Sequence, residues 1–278
     1  MESRGARFMV RFGTVITLLF LYIPLVVVVI YAFNDSVAQV WPPKSFTTKW
    51  FSLAFGDANM RAAFLTSIKV ASITTLIALG LGSAAAFAVH RYRFFGRQAI
   101  SFVLVLPIAL PGIITGMALR TGINTVGINF SLWTIMIGHA TFCIVVVFNN
   151  VVARLRRTPT SLMEASMDLG ADGWQTFRRI TLPAIATALV AGGLLAFALS
   201  FDEIIVTNFV SGAEITLPKW IFNAIRLPKN RPEANAVAVL VMLLSLIPVY
   251  LAQRLAGGGG SASDRGAVGV RTVEVPGE

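Results

Sequence analysis

Residues Arg154–Pro183 read RLRRTPTSLMEASMDLGADGWQTFRRITLP, and what flanks this polar stretch decides the fold. Upstream, Ser131–Ala153 carries no Asp, Glu, Lys or Arg, and downstream the apolar run to Phe201 carries none after Arg179. A helix needs about 20 predominantly apolar residues to cross the hydrocarbon core of a bilayer. Both flanks are long enough. The stretch between them is too polar to enter lipid, so it connects two membrane helices on one side.

Moving outward, charge-free windows recur at Phe12–Asn34, Val70–Val89, Gln98–Leu119 and Ala234–Gln253. The interval between Arg120 and Arg154 exceeds one span, and its polar, Gly-rich part Thr121–Asn129 is expected to be a loop. The reading is an all-α membrane protein with six transmembrane helices. Composition agrees: of 278 residues, 56% are hydrophobic and 13% charged, with mean hydropathy +0.75. A soluble domain carries about 25% charged residues. Arg4, Arg7 and Arg11 precede the first window, which is longer than a signal peptide's apolar core and ends in bulky Tyr31-Ala32-Phe33. It is expected to remain as the first membrane helix.

Orientation follows from the basic residues of the short connections. With the N-terminus inside, the cytoplasmic segments hold the majority of the 23 Lys and Arg residues. The cluster Arg154, Arg156 and Arg157 is the best anchor, while the loop from Lys219 to Arg231 dissents. Both termini are therefore expected in the cytoplasm. Residues 1–60 form the first helix and an outer loop, 61–256 the core with its connecting loop 154–183, and 257–278 a Gly/Ser-rich tail expected to be disordered. In the last outer loop, Leu217–Leu227 (LPKWIFNAIRL) is amphipathic, and Trp220 suits a helix at the membrane surface.

Several function classes are excluded. No lysine follows a glycine, so there is no P-loop. Gly80-x-Gly82-x-x-Ala85 imitates a dinucleotide fingerprint, but it lies mid-helix with no strand before it. Small residues there let helices approach closely. Two histidines and the single Cys143 do not make a transition-metal site. His139, inside the fourth span, reads as an interhelical hydrogen-bonding group, and Cys143 as small filler. No nucleophile–base pair suggests an enzyme. Net charge is +10, yet the arginines flank membrane spans, so nucleic acid is not an expected partner.

The connecting loop encodes two short helices. Thr158-Pro159 and Ser161-x-x-Glu164 are expected to open the first, the latter as a capping box. Leu162, Ala165, Ser166 and Leu169 then share one face, and Gly170 supplies the stop. Asp172-x-x-Gln175 is a second capping box, opening a helix that carries Trp174 and Phe177. Leu182-Pro183 is expected to close that helix and begin the next span. On this pattern alone, the loop could either dock into a partner or pack under its own bundle.

The run Glu164-Ala165-Ser166-x-x-x-Gly170, followed by Ile180-x-Leu182-Pro183, resembles the EAA loop of binding-protein-dependent ABC permeases. Ser166 replaces the second alanine, a small-for-small change. The resemblance extends over roughly Arg61 to Arg254. It implies a type I ABC importer permease of a prokaryotic cell membrane, in which this loop is a coupling helix seated in an ATPase subunit. Glu164, Ala165, Ser166, Gly170, Asp172, Leu182 and Pro183 would transmit force, not catalyse. The implied partners are a second homologous permease, two ATPase subunits that hold ATP and magnesium, and an extracytoplasmic binding protein. This chain itself would hold no cofactor.

The fifth span ends in Ser200-Phe201-Asp202-Glu203. Adjacent carboxylates at a span's end mark either the membrane boundary or a cation pathway. The stretch Ala198–Gly212 (ALSFDEIIVTNFVSG), with Thr216-Leu217-Pro218 and Tyr31–Ser36, resembles the second permease of spermidine/putrescine importers. That resemblance makes Asp202, Glu203 and Trp220 the candidates for contacting a polyamine, through charge and cation–π attraction. The same machine carrying ferric ion, phosphonate or sulfate is the alternative. A secondary transporter, suggested by the Pro107, Pro111, Gly112 and Gly116 break in helix three, is the more distant one.

Overall fold

The computed structural model describes residues 4–92 and 94–257. The tail beyond Gly257 lies outside them. Among the described residues the chain is helical, apart from an isolated antiparallel bridge between Asn34 and Phe46.

In order, the helices are α1 (Arg4–Phe33), α2 (Lys49–Gly56), α3 (Ala58–Arg91), α4 (Arg97–Ala109), α5 (Gly112–Thr125) and α6 (Leu132–Arg157). They continue with α7 (Ser161–Asp168), α8 (Gly173–Thr176), α9 (Leu182–Asp202), α10 (Ile205–Val210), α11 (Leu217–Arg226) and α12 (Arg231–Gly257). A π-helical turn, Phe177–Thr181, joins α8 to α9, and a 3₁₀ turn, Pro228–Asn230, precedes α12. Among the described residues five helical runs are long and apolar enough to cross a membrane.

The third window does not form one helix. It divides into α4 and α5 at Leu110-Pro111, where Leu110 is extended (φ −84°, ψ 142°). Proline clashes with a preceding residue in helical conformation, which forces that break. The loop expected over Thr121–Asn129 is also shorter, because α5 runs on to Thr125. Thr125 satisfies its own hydroxyl by donating to the Thr121 carbonyl at 2.9 Å. The expected interval between α5 and α6 therefore shrinks to Val126–Ser131.

The chain divides into two compact units interleaved in sequence. One comprises residues up to Ser67 with Ile215–Ser245, the other Ile68–Glu214 with residues from Leu246 onward. In the first unit, Trp50 donates its indole N–H to the Asn34 carbonyl at 2.8 Å, and Asp35 pairs with Lys49. That contact gives the connection between α1 and α2 a defined shape. α1 itself is almost unpartnered within this chain, with 6% of its apolar window buried.

In the second unit α6 is the central element, and 61% of its apolar window is buried. Its residues Cys143, Val147, Phe148, Val151 and Leu155 make a core with Ala78, Ala86 and Val89 of α3 and Ile185 and Ala196 of α9. Of the two glycines in the expected small-residue stripe, only Gly82 meets a neighbour. A Cβ there would stand 2.8 Å from the Ile144 carbonyl oxygen, whereas Gly80 has open space. Cys143 is buried and points its thiol at the Ala196 carbonyl, 3.4 Å away, as a packing residue.

Candidate functional site

The connection between α6 and α9 holds the short helices α7 and α8, separated by a sharp glycine turn. α7 ends in a Schellman motif: Gly170 adopts φ +84°, its N–H reaches the Met167 carbonyl at 2.9 Å, and the Ala171 N–H reaches the Ser166 carbonyl at 3.1 Å. Only a residue tolerant of the left-handed region makes that turn cheaply. The second capping box forms as its sequence indicates, with Asp172 accepting the Gln175 N–H at 2.7 Å.

The start of α7 differs from expectation. Its cap is Thr160, helical at φ −65° and ψ −28°, and no Ser161–Glu164 capping box forms. Pro159 precedes the helix instead of occupying its first turn. The Thr160 carbonyl already receives the Met163 and Glu164 N–H groups, at 2.9 and 3.1 Å, so the first turn closes without a side-chain cap. Glu164 is left exposed in that turn, where the helix dipole favours an anion.

Leu182-Pro183 does not separate two helices either. Gly173–Asp202 is one continuous run. Proline cannot donate to the carbonyl four residues back, and its ring crowds that carbonyl. The turn just before it is widened accordingly: the Leu182 N–H bonds to the Phe177 carbonyl, five residues back. Arg154 Nε reaches the Ala184 carbonyl at 2.8 Å, tying the end of α6 to the start of α9.

Side-chain orientation gives α7 two faces. Ser166 turns inward, its hydroxyl 3.1 Å from that of buried Thr176. Behind α7 lies a cavity of about 280 Å³ lined by Phe87, His90, Leu155, Met163, Met167 and Thr176. Outward stand Leu162, Ala165 and Leu169, the last 89% exposed, while Glu164, also exposed, borders the cavity; Trp174 stacks on Phe177 at 5.7 Å. The apolar face expected from Leu162, Ala165, Ser166 and Leu169 is thus three exposed residues with Ser166 as the anchor.

At the other end of α9 the chain turns a corner. α9 stops at Asp202, Glu203 is extended (φ −74°, ψ 117°), and α10 starts at Ile205. Glu203 is half-buried, and its Oε1 accepts the Val206 N–H at 2.9 Å. Asp202 is exposed and has no ion-pair partner among the described residues. The two carboxylates therefore separate in role: one caps α10, and the other is available. Gly173–Asp202 spans 30 residues, about 45 Å at 1.5 Å per residue, so the corner and α7 lie at opposite ends of a membrane-crossing helix.

Trp220 lies in the first unit, half-buried on α11, with Arg226 stacked over the Phe222 ring at 4.1 Å on the same helix. Burial lowers the affinity of neighbouring Lys219 for its proton. Sequence reasoning missed Thr176, the Arg154–Ala184 contact and the cap made by Glu203. Only the last had a local signal, since Glu203 stands three residues before the N–H it receives.

The family model for the binding-protein-dependent transport system inner membrane component matches residues 77–257, which include α6 through α10. The spermidine/putrescine transport system permease protein PotC of Escherichia coli K12 is 34% identical over 239 residues, covering 85% of this chain and 89% of that protein. The putrescine transport system permease protein PotI of the same organism is 36% identical over 248 residues, covering 84% and 87%. Among solved structures, a bacterial ABC transporter involved in the import of the acidic polysaccharide alginate superposes with TM-score 0.62 at 18% identity, over 94% of this chain and 99% of that one. The complex of the alginate transporter with its pentasaccharide-bound periplasmic protein gives TM-score 0.68 at 15% identity, over 90% and 93%. Those two identities speak to the fold alone. The matched span, the extent of the curated similarity and the helical architecture lead to one assignment: this chain belongs to the family of binding-protein-dependent transport system inner membrane components, the multi-pass permease subunits of ABC importers.

Proposed function

We propose that this permease carries polyamines, and that α7 passes the closure of separate ATPase subunits to the membrane helices. The observation that carries the coupling reading is the two-faced construction of α7. Leu162, Ala165 and Leu169 are presented outward while Ser166 and the Gly170 turn hold the helix from behind. A knob of that form suits a groove on a partner, and continuity through the π turn into α9 would carry its displacement into the span. Both termini and α7 lie in the cytoplasm in this reading, and the Asp202 corner on the opposite side.

Two curated relatives named for spermidine and putrescine, at 34 and 36% identity over most of the chain, support the cargo. The exposed Asp202 carboxylate fits an ammonium-bearing substrate, and Trp220 offers an aromatic face for cation–π contact. Partners in this reading are a second permease, two ATPases binding ATP and magnesium, and an extracytoplasmic binding protein. A neighbour solved with a periplasmic binding protein agrees with the last.

Reconstitution of the complete complex tests both halves. Glu164→Arg and Gly170→Pro are expected to abolish stimulation of ATP hydrolysis by loaded binding protein. Unaltered stimulation would overturn the coupling role. Undetectable binding of spermidine and putrescine by the partner binding protein would overturn the cargo.

A further inference from the structure

His139 is fully buried on α6, and both ring nitrogens are engaged. Nδ1 lies 2.9 Å from the Ser200 hydroxyl in the last turn of α9, and Nε2 lies 2.9 Å from the Thr207 hydroxyl in the first turn of α10. The two partners stand on either side of the corner that presents Asp202. Thr207 donates its only hydroxyl proton to the Glu203 carbonyl at 2.8 Å, so it must accept from the ring. Nε2 therefore carries the hydrogen, and in the neutral ring Nδ1 accepts from Ser200.

The α6 surface that offers this ring is itself closely fitted to α10. A Cβ on Gly138 would stand 3.0 Å from Val206 Cγ1. The Thr134 hydroxyl lies 2.7 Å from both the Ser131 and Val210 carbonyls and donates to one at a time. Glu203 adds its own bond to the Val206 N–H. The backbone from Ser200 to Thr207 is thus held at both ends by one imidazole. Asp202 sits inside that bracket, and its carboxylate is placed by the backbone that the bracket holds.

We infer that His139 is a positioning residue for the cargo pathway: its imidazole bridges the two sides of the α9–α10 corner and so sets where Asp202 presents its carboxylate. This rests on the reading of Asp202 as a pathway residue. An ordinary interhelical bond would need one partner on one helix. Here the ring closes across a bend, and the exposed carboxylate of the corner lies within the closed segment.

The test is a double-mutant cycle in the complete reconstituted transporter, reading spermidine transported per ATP hydrolysed. Asp202→Asn is expected to lower that ratio about tenfold, and His139→Leu about fivefold to tenfold, the scale of losing buried hydrogen bonds. The double variant should do no worse than Asp202→Asn alone, because His139 acts through Asp202. His139→Gln should return the ratio to within about twofold of wild type, since its amide also offers one donating and one accepting side. Multiplying losses in the double variant, or His139→Leu lowering stimulated ATP hydrolysis and transport equally, would overturn the inference while leaving the pathway reading intact. An unchanged ratio in Asp202→Asn would overturn the pathway reading and this inference with it. If His139→Leu does not reach the membrane, Ser200→Ala, which removes one of the ring's two bonds, takes its place in the same cycle, with a smaller loss in the ratio and again no further loss in the double variant.

Discussion

Ser166 on α7 and Thr176 on α8 set their hydroxyl oxygens 3.1 Å apart across the Gly170 turn, and this pair ties α7 to the helical run that leads into α9. Ser166 is the position where the chain departs from the alanine of the EAA pattern. The hydroxyl that breaks the pattern is the one that finds a partner. The exposed residues Leu162, Ala165 and Leu169 are unchanged by it.

Removing either hydroxyl should therefore loosen α7 without altering the exposed Leu162, Ala165 and Leu169. Ser166→Ala and Thr176→Val are each expected to cost about 1 kcal/mol. The corresponding fall in Tm is about 2–4 °C. The double variant should fall no further than Thr176→Val alone, because both changes remove the same bond. Thermal unfolding of the purified complex measures this.

Gly170 has open space where a Cβ would stand, with no atom within 4 Å, so a substitution there is felt through the backbone alone. Gly170→Ala should cost about 1–2 kcal/mol, the penalty for an L-residue in the left-handed region. Gly170→Asn should cost less, since asparagine tolerates that region better. Ranking the three proteins by chemical denaturation checks the order.

Gly80 and Gly82 make a matched pair two residues apart on α3. Gly82→Ala drives a Cβ to 2.8 Å from the Ile144 carbonyl oxygen. It should destabilise by about 1–3 kcal/mol because α3 and α6 must separate. Gly80→Ala meets open space, and should be neutral or slightly stabilising through helix propensity. Equal losses at the two positions, read by thermal melting, would contradict the close approach at Gly82.

The hydrogen bond from Lys49 holds the Asp35 carboxyl below its usual range, with burial opposing. A depressed folded-state value means that this contribution is full above the unfolded carboxylate value of about 3.9 and is lost as pH falls through the folded value. Both side chains are about half exposed, so the effect should be local and weakened by salt. Acid titration should change the emission of buried Trp50, and Asp35→Asn should remove that transition. A transition that survives the substitution would assign it to another group.

Much of the architecture is legible because it rests on local rules. Charge-free windows of membrane length locate α1, α3, α6, α9 and α12, since bare backbone in lipid must bond within its own helix. Pro111 announces the break between α4 and α5, and Gly170 and Asp172 announce a stop and a start. Where local rules mislead, a neighbouring backbone has supplied what the sequence implied was missing. Pro183 reads as a boundary until the π turn absorbs its absent N–H. Ser161-x-x-Glu164 reads as a capping box until Thr160 closes the turn first.

The sequence by itself determined that this chain crosses a membrane several times, that a polar segment of two short helices stands between its fourth and fifth spans, and that two carboxylates end the fifth. Those are matters of hydrophobic periodicity and turn chemistry, each settled within a few neighbouring residues. Only the tertiary structure decided which carboxylate is left available, which glycine lets two helices touch, and that His139 reaches both sides of one corner. Those depend on groups far apart in sequence, such as His139 and Thr207, meeting at hydrogen-bond distance, and one-dimensional spacing carries no record of that meeting.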